Sequence, residues 1–414
     1  MNALVVAGVW AGTGILCGPI ARAFRVRRLS VAVPAAGALA ARLVQPAAEH
    51  ANVALAQTGL GLDRLDLGLI EAGGASLALA LLIAPRLDGR EGLTYGVVGS
   101  LVTIALATAS PVVWAVVLLA AVGALALRWI GAAPSRTTLA AARVPGAGSA
   151  SLLAAAPFLP LVGAISGPRP EIAAGLLGGG VAALLALLPL GGWAAGALGS
   201  LRAAEVAPWA FLLGPSVLVV AERIPAATPA AGDSYGRILL IAGLVTAVWQ
   251  GFQANRGLPR RCYGRVLLAD LGLAAAAAGS GHPGPAMQGA LLMTLTHLAI
   301  GPMLLQGAGA TPGRARLVGW AVLSGLPPAP SFWARFVFVQ ALVQVGPAQA
   351  TSALVAVGML SLAAVLGAVR EAAGRPAHEA VPSRKAVAFS WLAAASATAL
   401  GLAPAAAAAA VFGT

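Results

Sequence analysis

The stretch LSGLPPAPSFWARFVFVQ, residues 323–340, places three prolines and one arginine inside a run that is otherwise apolar enough to cross a bilayer. Pro327, Pro328 and Pro330 each lack a backbone donor, and each ring blocks the hydrogen bond that a continuous helix would make at that point. Arg335 follows shortly after the prolines, again among apolar residues. The pattern predicts a membrane helix that is broken in its middle and holds a buried cation beside the break.

The rest of the chain is similarly apolar. Of its 414 residues, 59% are hydrophobic and only 9% are charged, and the mean hydropathy is +0.88. Soluble domains carry about 25% charged residues, so the composition predicts an integral membrane protein. Apolar segments of about 17–25 residues recur along the chain, which indicates an all-α polytopic bundle of about fourteen transmembrane helices. We therefore expect residues 1–414 to form a single transmembrane domain.

The net charge of +13 comes from basic residues that are spread singly among the predicted loops. Because they are not gathered on one face, no nucleic-acid partner is expected. If the N-terminus lies outside, twenty of the 26 Lys+Arg fall on inside loops, five fall on outside loops, and Arg335 is left within the membrane. This asymmetry follows the positive-inside rule. The chain is predicted to cross the bacterial inner membrane many times, with both termini outside and with lipids as neighbours.

A second interruption lies in GLLGGGVAALLALLPLGGWAAGAL, residues 175–198. The two breaks are predicted near Gly178 to Pro189 and near Gly325 to Pro330, in the seventh and twelfth helices. Broken helices at matching positions of two halves are typical of inverted repeats. We therefore expect two inverted five-helix repeats, helices 4–8 and 9–13. The corresponding segments are 1–90 for the N-terminal helices, 91–230 and 231–370 for the two repeats, and 371–414 for the last helix.

Four segments, in this order along the chain, resemble motifs of one membrane-protein family. They are PLGGW at 189–193, RRCYGRVLLADLG at 260–272, HLAIGPMLLQGAG at 297–309 and the opening stretch. Together they are similar to the antiporter-like, proton-pumping membrane subunits of respiratory complex I, which are shared with multisubunit sodium/proton antiporters and membrane-bound hydrogenases. The resemblance covers about residues 90–370. It implies a membrane-arm subunit whose partners are other membrane subunits of a complex I-like assembly.

The resemblance also implies a buried relay of lysines, histidines and one glutamate, but most matching positions in this chain do not titrate. The fifth-helix glutamate matches Ala115, and the seventh-helix lysine matches Leu184. The eighth-helix lysine matches Gly214, and the eleventh-helix lysine matches Gly301. Only His297, and Arg335 at the place of the twelfth-helix lysine, keep a polar group. The sequence thus resembles a divergent, degenerate member of the family.

The remaining candidates for a proton pathway are His297, Asp270 and Arg335. His297 is either a relay group or a packed histidine bonded to a carbonyl or threonine, and Asp270 is either an intramembrane or an interfacial carboxylate. Arg335 stays protonated at physiological pH, so it is expected to act as a fixed charge that anchors a carboxylate, a lipid headgroup or a backbone turn. Glu71 and Glu222 are expected at the membrane interface. Two further features complete the site predictions: His282 as a loop residue, and the helix breaks at Pro189, Pro327, Pro328 and Pro330.

The sequence carries no nucleotide-binding motif, no C-x-x-C pair and no paired haem ligands. Cys17 and Cys262 are far apart, and neither indicates a disulfide or a metal site. No cofactor, metal or catalytic residue is therefore predicted, and any oxidoreductase chemistry is expected in partner subunits. Three functions stay open. They are a structural or weakly pumping membrane-arm subunit, an active proton or sodium translocating subunit built on other polar groups, and an independent secondary transporter.

Overall fold

The computed structural model describes residues 2–23, 27–55, 62–84, 91–108, 110–132, 135–158, 169–256, 258–306, 311, 313–373 and 384–404. Four of the basic residues used to predict the topology, Arg25, Arg86, Arg90 and Arg375, lie outside these ranges. The described residues form seventeen α-helices and no β-strand, which confirms the all-α class. The helices are α1 Asn2–Ala23, α2 Ala32–Leu55, α3 Arg64–Ile83, α4 Glu91–Ala107, α5 Pro111–Ala132, α6 Arg136–Ala154, α7 Pro170–Leu184, α8 Gly192–Ser200, α9 Ala203–Pro208, α10 Gly214–Ala227, α11 Pro229–Ala254, α12 Pro259–Ala278, α13 Pro283–Leu304, α14 Gly313–Leu323, α15 Pro330–Val343, α16 Pro347–Ala373 and α17 Arg384–Leu402.

Within the described ranges, seven helices are long and apolar enough to cross a bilayer. They include α3, α5, α11 and α16, and the segment Ala203–Ala227 also qualifies because α9 and α10 continue one another through a π-helical turn at Trp209–Leu213. Many large apolar side chains remain exposed on the outer helices, among them Leu43, Leu127 and Ile241. Such surfaces suit lipid and not water. The chain is a multi-pass membrane protein.

Both predicted helix breaks are present. The first separates α7, which ends at Leu184, from α8, which begins at Gly192. The second separates α14, which ends at Leu323, from α15, which begins at Pro330. Each break contains a cis peptide bond before a proline, at Leu188-Pro189 and at Pro327-Pro328.

The first break is shorter than the sequence predicted, because the glycine run at 178–180 lies inside α7. Gly178 and Gly180 serve close packing. A Cβ atom on Gly180 would lie 2.7 Å from the carbonyl oxygen of Gly148, and one on Gly178 would lie 2.8 Å from Cγ2 of Ile238. Helix α7 therefore packs tightly against α6 and α11 through its glycines, and the chain leaves the helix only after Leu184.

The N-terminal helices are joined to the second half of the chain through α3. The Ser76 hydroxyl donates to the carbonyl oxygen of Leu298 at 2.7 Å, and the Gln306 amide donates to that of Ala80 at 3.0 Å. All four residues are buried. Helix α3 is thus held by hydrogen bonds along α13, the helix that carries His297.

Several turns lie together at one end of the bundle, which we call the basic end. Arg128 at the end of α5 lies 3.6 Å from Glu205 of α9. Arg260 at the start of α12 donates to the carbonyl oxygen of Leu201, just after α8. The basic end thus contains the turns that follow α5, α8 and α11.

A close helix contact in the core joins α11 to α12 through Gly243 and Gly272. A Cβ atom on Gly272 would lie 2.7 Å from the carbonyl oxygen of Gly243 and 2.9 Å from the backbone nitrogen of Ala247. Both neighbours are backbone atoms, so they cannot move aside without separating the helices. Gly272 is therefore required by packing, in the way that small residues let membrane helices approach.

We expect Gly272→Ala to destabilise the protein by about 1–3 kcal/mol, because the added methyl group overpacks a helix contact that cannot relax. Gly123→Ala is the matched control, since a Cβ atom on Gly123 meets no atom within 4 Å. Thermal unfolding in detergent should show a lower Tm for Gly272→Ala and an unchanged or higher Tm for Gly123→Ala. Equal Tm values for the two variants would contradict the packing.

Candidate functional site: a buried aspartate, arginine and histidine

The three sequence candidates for a polar site lie together in the core. Asp270 comes from α12, His297 from α13 and Arg335 from α15, and their exposed fractions are 0%, 4% and 1%. Asp270 is therefore a fully buried carboxylate within α12, and its intramembrane position stays a prediction. The packing of these three helices brings Asp270 and Arg335 together, although they are 65 positions apart in the sequence.

Arg335 binds Asp270 through two parallel hydrogen bonds. Nε of Arg335 donates to Oδ1 of Asp270 at 3.0 Å, and Nη2 donates to Oδ2 at 3.0 Å. This fork-to-fork arrangement uses both carboxylate oxygens and is the strongest geometry available to such a pair. Taking two charges out of water is costly, and only this pairing compensates the cost. The pair is consequently a fixed, electrically neutral unit.

The same guanidinium group also stabilises the helix break. Nη1 of Arg335 donates to the carbonyl oxygen of Leu323 at 2.8 Å, and Leu323 is the last residue of α14. The last carbonyls of a helix have no partner in the helix itself, and they carry partial negative charge. Arg335 thus satisfies one of them inside the membrane. Gly325 is needed beside it, because it has φ +71° and a Cβ atom there would lie 2.9 Å from Nη1.

His297 extends the network on the other side of Asp270. Its Nε2 lies 3.1 Å from Oδ2 of Asp270, and its Nδ1 lies 3.4 Å from the Tyr263 hydroxyl. An ionised carboxylate only accepts hydrogen bonds, so Nε2 must carry the proton. In the neutral ring Nδ1 is then an acceptor for the Tyr263 hydroxyl. The partners of His297 are therefore a carboxylate and a phenol, and not the carbonyl or threonine expected for a merely packed histidine.

A small cavity of about 20 Å³ adjoins Asp270 and His297. Thr294 supplies a third polar group, and the rest of the lining is apolar, with residues from α10, α12 and α13 that include Pro215, Leu267 and Met293. A single water molecule needs roughly 10–15 Å³. The cavity is thus large enough for one water beside the carboxylate, and it is far too small for an organic solute.

Tyr263 fills the space that the resemblance assigns to the eleventh-helix lysine. A Cβ atom on Gly301 would lie within 2.5 Å of the Phe211 ring and would also overlap the Tyr263 hydroxyl. No side chain fits at position 301 while these two rings keep their places. Glycine at 301 and tyrosine at 263 are therefore sterically complementary.

The other three lysine and glutamate positions of the resemblance are buried apolar sites. Ala115 and Leu184 are fully or almost fully buried, and Gly214 follows the π-helical turn, where its N–H group donates to the carbonyl oxygen of Trp209. Indole groups cap the carbonyls at the end of α7. Trp193 donates to Ala183 and Trp209 donates to Leu184, each at 3.2 Å. The first break is thus satisfied by neutral donors, whereas the second is satisfied by a cation.

The remaining sequence candidates lie apart from this network. Glu71 is partly exposed and lies 3.8 Å from Arg42, which fits an interfacial position. Glu222 is more enclosed than expected, since its Oε1 atom is buried. His282 precedes α13 in a turn, as predicted. Cys17 and Cys262 are both free and buried.

Three further charged clusters were missed by sequence reasoning. In the first, Arg128 lies 3.6 Å from both Glu91 and Glu205 at the basic end. In the second, Arg316 donates to Glu371 at 2.8 Å and to the carbonyl oxygens of Met303 and Gln306. The third is a link at the opposite end, where Arg223 donates to Asp66 at 2.8 Å and to the carbonyl oxygen of Leu106 at 2.7 Å. Each cluster joins helices that are far apart in sequence, and no local motif signals such a pair.

Comparison with known proteins places the fold. No protein-family model and no curated protein matches the sequence. A chain of the Mrp complex from Dietzia sp. DQ12-45-1b is similar, with a TM-score of 0.77 and 18% identity, over 100% of this chain and 52% of that chain. This chain therefore spans about half the length of the Mrp chain that it matches.

Two further structures match over most of both chains. A chain of respiratory complex I from Thermus thermophilus has a TM-score of 0.76 and 18% identity, over 96% of this chain and 97% of that one. A chain of the membrane-bound sulfane sulfur reductase, an archaeal respiratory membrane complex, has a TM-score of 0.75 and 14% identity, over 98% and 76%. The resemblance predicted from the motifs is thus confirmed at the level of the fold, which is that of antiporter-like membrane subunits.

The geometry of the ion pair gives a sharp stability prediction. Arg335→Ala and Asp270→Ala should each cost about 3–5 kcal/mol, because each leaves one buried charge without its partner. Arg335→Met combined with Asp270→Leu should cost much less than either, since it removes both charges and keeps the volume. Arg335→Lys should lie between the wild type and Arg335→Ala, because it keeps the charge and loses the planar fork.

Denaturant or thermal unfolding in detergent measures all four variants. Additive losses in the double variant would show that the two side chains act independently and would contradict the paired site.

Proposed function

We propose that the chain is an antiporter-like subunit of a multisubunit membrane complex related to respiratory complex I and Mrp, in which it has a structural or at most weakly pumping role. The fold similarity to chains of three respiratory and Mrp complexes supports the membrane-subunit assignment. Its partners are then other membrane subunits, and any redox centre belongs to those partners. A bacterial inner membrane is the proposed location.

One observation carries the structural role. The buried cation at the second break, Arg335, is bound by both oxygens of Asp270 and by the Leu323 carbonyl. Arginine does not release its proton in proteins, so a group held in this way cannot alternate between charge states. Two neighbouring residues match relay lysines. Gly301 is too confined for a longer side chain, and Gly214 directly follows the π-helical turn, where a Cβ atom would lie 3.1 Å from the carbonyl oxygen of Trp209.

The first half supports the same conclusion. Its break is capped by Trp193 and Trp209, and Leu184 and Ala115 are buried among apolar residues. A proton that crosses the membrane needs polar groups or water at every step. The apolar residues and neutral caps around the first break therefore favour a subunit that keeps the membrane closed to protons and positions its neighbouring subunits.

The helix breaks also support the proposed topology. If α7 with α8, α9 with α10, and α14 with α15 each count as one segment, the described helices form fourteen segments. Helices 4–8 and 9–13 then become two repeats, each with its broken helix in fourth place. An even number of membrane-crossing segments leaves both termini on the same side of the membrane. The distribution of basic residues favours the outside as that side.

We expect the purified chain in proteoliposomes to conduct no protons above the background of empty vesicles, because neither half offers a continuous set of titratable groups. A pH-sensitive dye inside the vesicles reports the flux under an imposed potential. His297→Gln is the matched variant, and it should change nothing. Flux in the wild type that is lost in His297→Gln would instead support an active translocating subunit.

That second candidate is favoured by a specific feature, the cavity next to His297, Asp270 and Thr294. One water there could extend the Tyr263, His297 and Asp270 network. Sodium or proton movement through rebuilt polar groups would follow this path. The His297→Gln comparison distinguishes it from the structural role. The third candidate is an independent solute transporter, and this cavity gives it no support because it is too small for an organic solute.

We expect reporter fusions in the turns after α5 and α11, near Arg136 and Arg256, to read as cytoplasmic. A fusion in the turn between α10 and α11, near Thr228, is the matched control and should read as external. The physical reason is the excess of arginine at the basic end. A reversed pattern would contradict both the topology and the proposed orientation in a complex.

A further inference from the structure

An arginine cluster surrounds the turn from α11 to α12 at the basic end. Arg256, Arg261 and Arg265 lie within ten residues, and the first two are exposed. Within the part of the chain that the structure describes, no carboxylate lies within ion-pair distance of any of the three. Arg265 donates only to the carbonyl and the amide oxygen of Gln253. Among the described residues, the three guanidinium groups, which we call the arginine cluster, therefore have no carboxylate partner.

Local electrostatics makes this charge costly without a ligand. Arg261 and Arg265 are four residues apart on α12, so like charges face each other. Arg260 and Arg261 lie in the first turn of this helix, where the dipole disfavours cations and where no acidic side chain is present. The repulsion between like charges and the helix dipole both raise the free energy of the arginine cluster. An anion bound among the guanidinium groups would replace this repulsion with attraction.

An exposed apolar stripe on α11 leads directly to the arginine cluster. Ile241, Val245, Trp249 and Phe252 follow one face of the helix, and all four are exposed. The rings of Trp249 and Phe252 lie 6.3 Å apart, and Cζ of Arg256 lies 4.4 Å from the centroid of the Phe252 ring. Aromatic rings of this kind mark the boundary between hydrocarbon and headgroups. The arginine cluster therefore lies at headgroup depth, next to a surface suited to an acyl chain.

We propose that the arginine cluster binds the phosphate headgroup of an anionic phospholipid, with one acyl chain lying along the α11 stripe. Guanidinium groups bind phosphate oxygens in a bidentate manner. A phospholipid would contact both the arginine cluster and the apolar α11 stripe, whereas free phosphate would contact only the arginine cluster. A neighbouring subunit could cover the stripe, but it would also have to supply carboxylates to three arginines. This inference requires only that the chain lies in a membrane, so it does not depend on whether the subunit pumps.

Native mass spectrometry of the full chain, titrated with dioleoyl phosphatidylglycerol, tests the proposal. Dioleoyl phosphatidylcholine has the same acyl chains without the net charge, and inorganic phosphate has the charge without the chains. We expect the wild type to prefer phosphatidylglycerol over both. Arg256→Gln, Arg261→Gln and Arg265→Gln together should lower the affinity for phosphatidylglycerol by roughly tenfold or more, since each arginine near a headgroup contributes severalfold.

The matched control removes the same number of exposed arginine charges elsewhere on the chain. Arg136→Gln, Arg143→Gln and Arg384→Gln change exposed arginines outside the arginine cluster, and they should leave the affinity unchanged. Because Arg265 also supports Gln253, the double variant Arg256→Gln with Arg261→Gln gives a second measurement, with an expected intermediate loss.

Equal losses in the cluster and control variants would reduce the effect to general surface charge and overturn the proposal. Equal affinity for phosphatidylglycerol and inorganic phosphate would overturn the lipid as ligand. In the assembled complex, loss of a neighbouring subunit from the cluster variant, with unchanged lipid binding, would assign the surface to that subunit.

Discussion

The hydrogen-bonded pair between Arg335 and Asp270 is the interaction on which the second half of this bundle depends. A broken helix inside a membrane leaves carbonyl groups that no water can reach, and the Leu323 carbonyl is one of them. Arg335 satisfies that carbonyl, but an arginine at this depth requires a counter-charge. Asp270 supplies it from α12 with both oxygens. The break, the cation and the anion are thus mutually required.

The two halves solve the same backbone problem with different chemistry. Indole donors from Trp193 and Trp209 cap the end of α7 without any charge, whereas a guanidinium group caps the end of α14. A neutral cap needs no counter-charge, so the first break needs no ion pair beside it. The second half must keep its ion pair and, beside it, His297 and Tyr263. Neutral caps at the first break and a fixed ion pair at the second are consistent with the proposed structural role.

Both helix breaks could be predicted from the sequence, because a proline interrupts the hydrogen bonds of its own helix and can be read from a short stretch of residues. Sequence reasoning also named Asp270, His297 and Arg335, since charged residues in apolar helices are few. It did not predict that the three would touch, which depends on how α12, α13 and α15 pack. It misplaced the start of the first break, because a run of glycines predicts a helix break, whereas this run lies inside α7, where Gly178 and Gly180 serve packing. The place of Tyr263 in the site was not predicted, because its contact with Gly301 joins two different helices and leaves no local pattern in the sequence.

The central claim is that Asp270 stays ionised because Arg335 is fixed beside it. Infrared difference spectroscopy of the purified chain between acidic and alkaline buffers, with Asp270→Asn as the reference, measures this directly. A protonated-carboxyl band that is lost in Asp270→Asn belongs to Asp270. The account predicts that the wild type shows no such band over the physiological pH range. It predicts that the band emerges in Arg335→Met, which removes the cation. A protonated Asp270 in the wild-type protein would contradict the fixed pair and would indicate a group that exchanges protons.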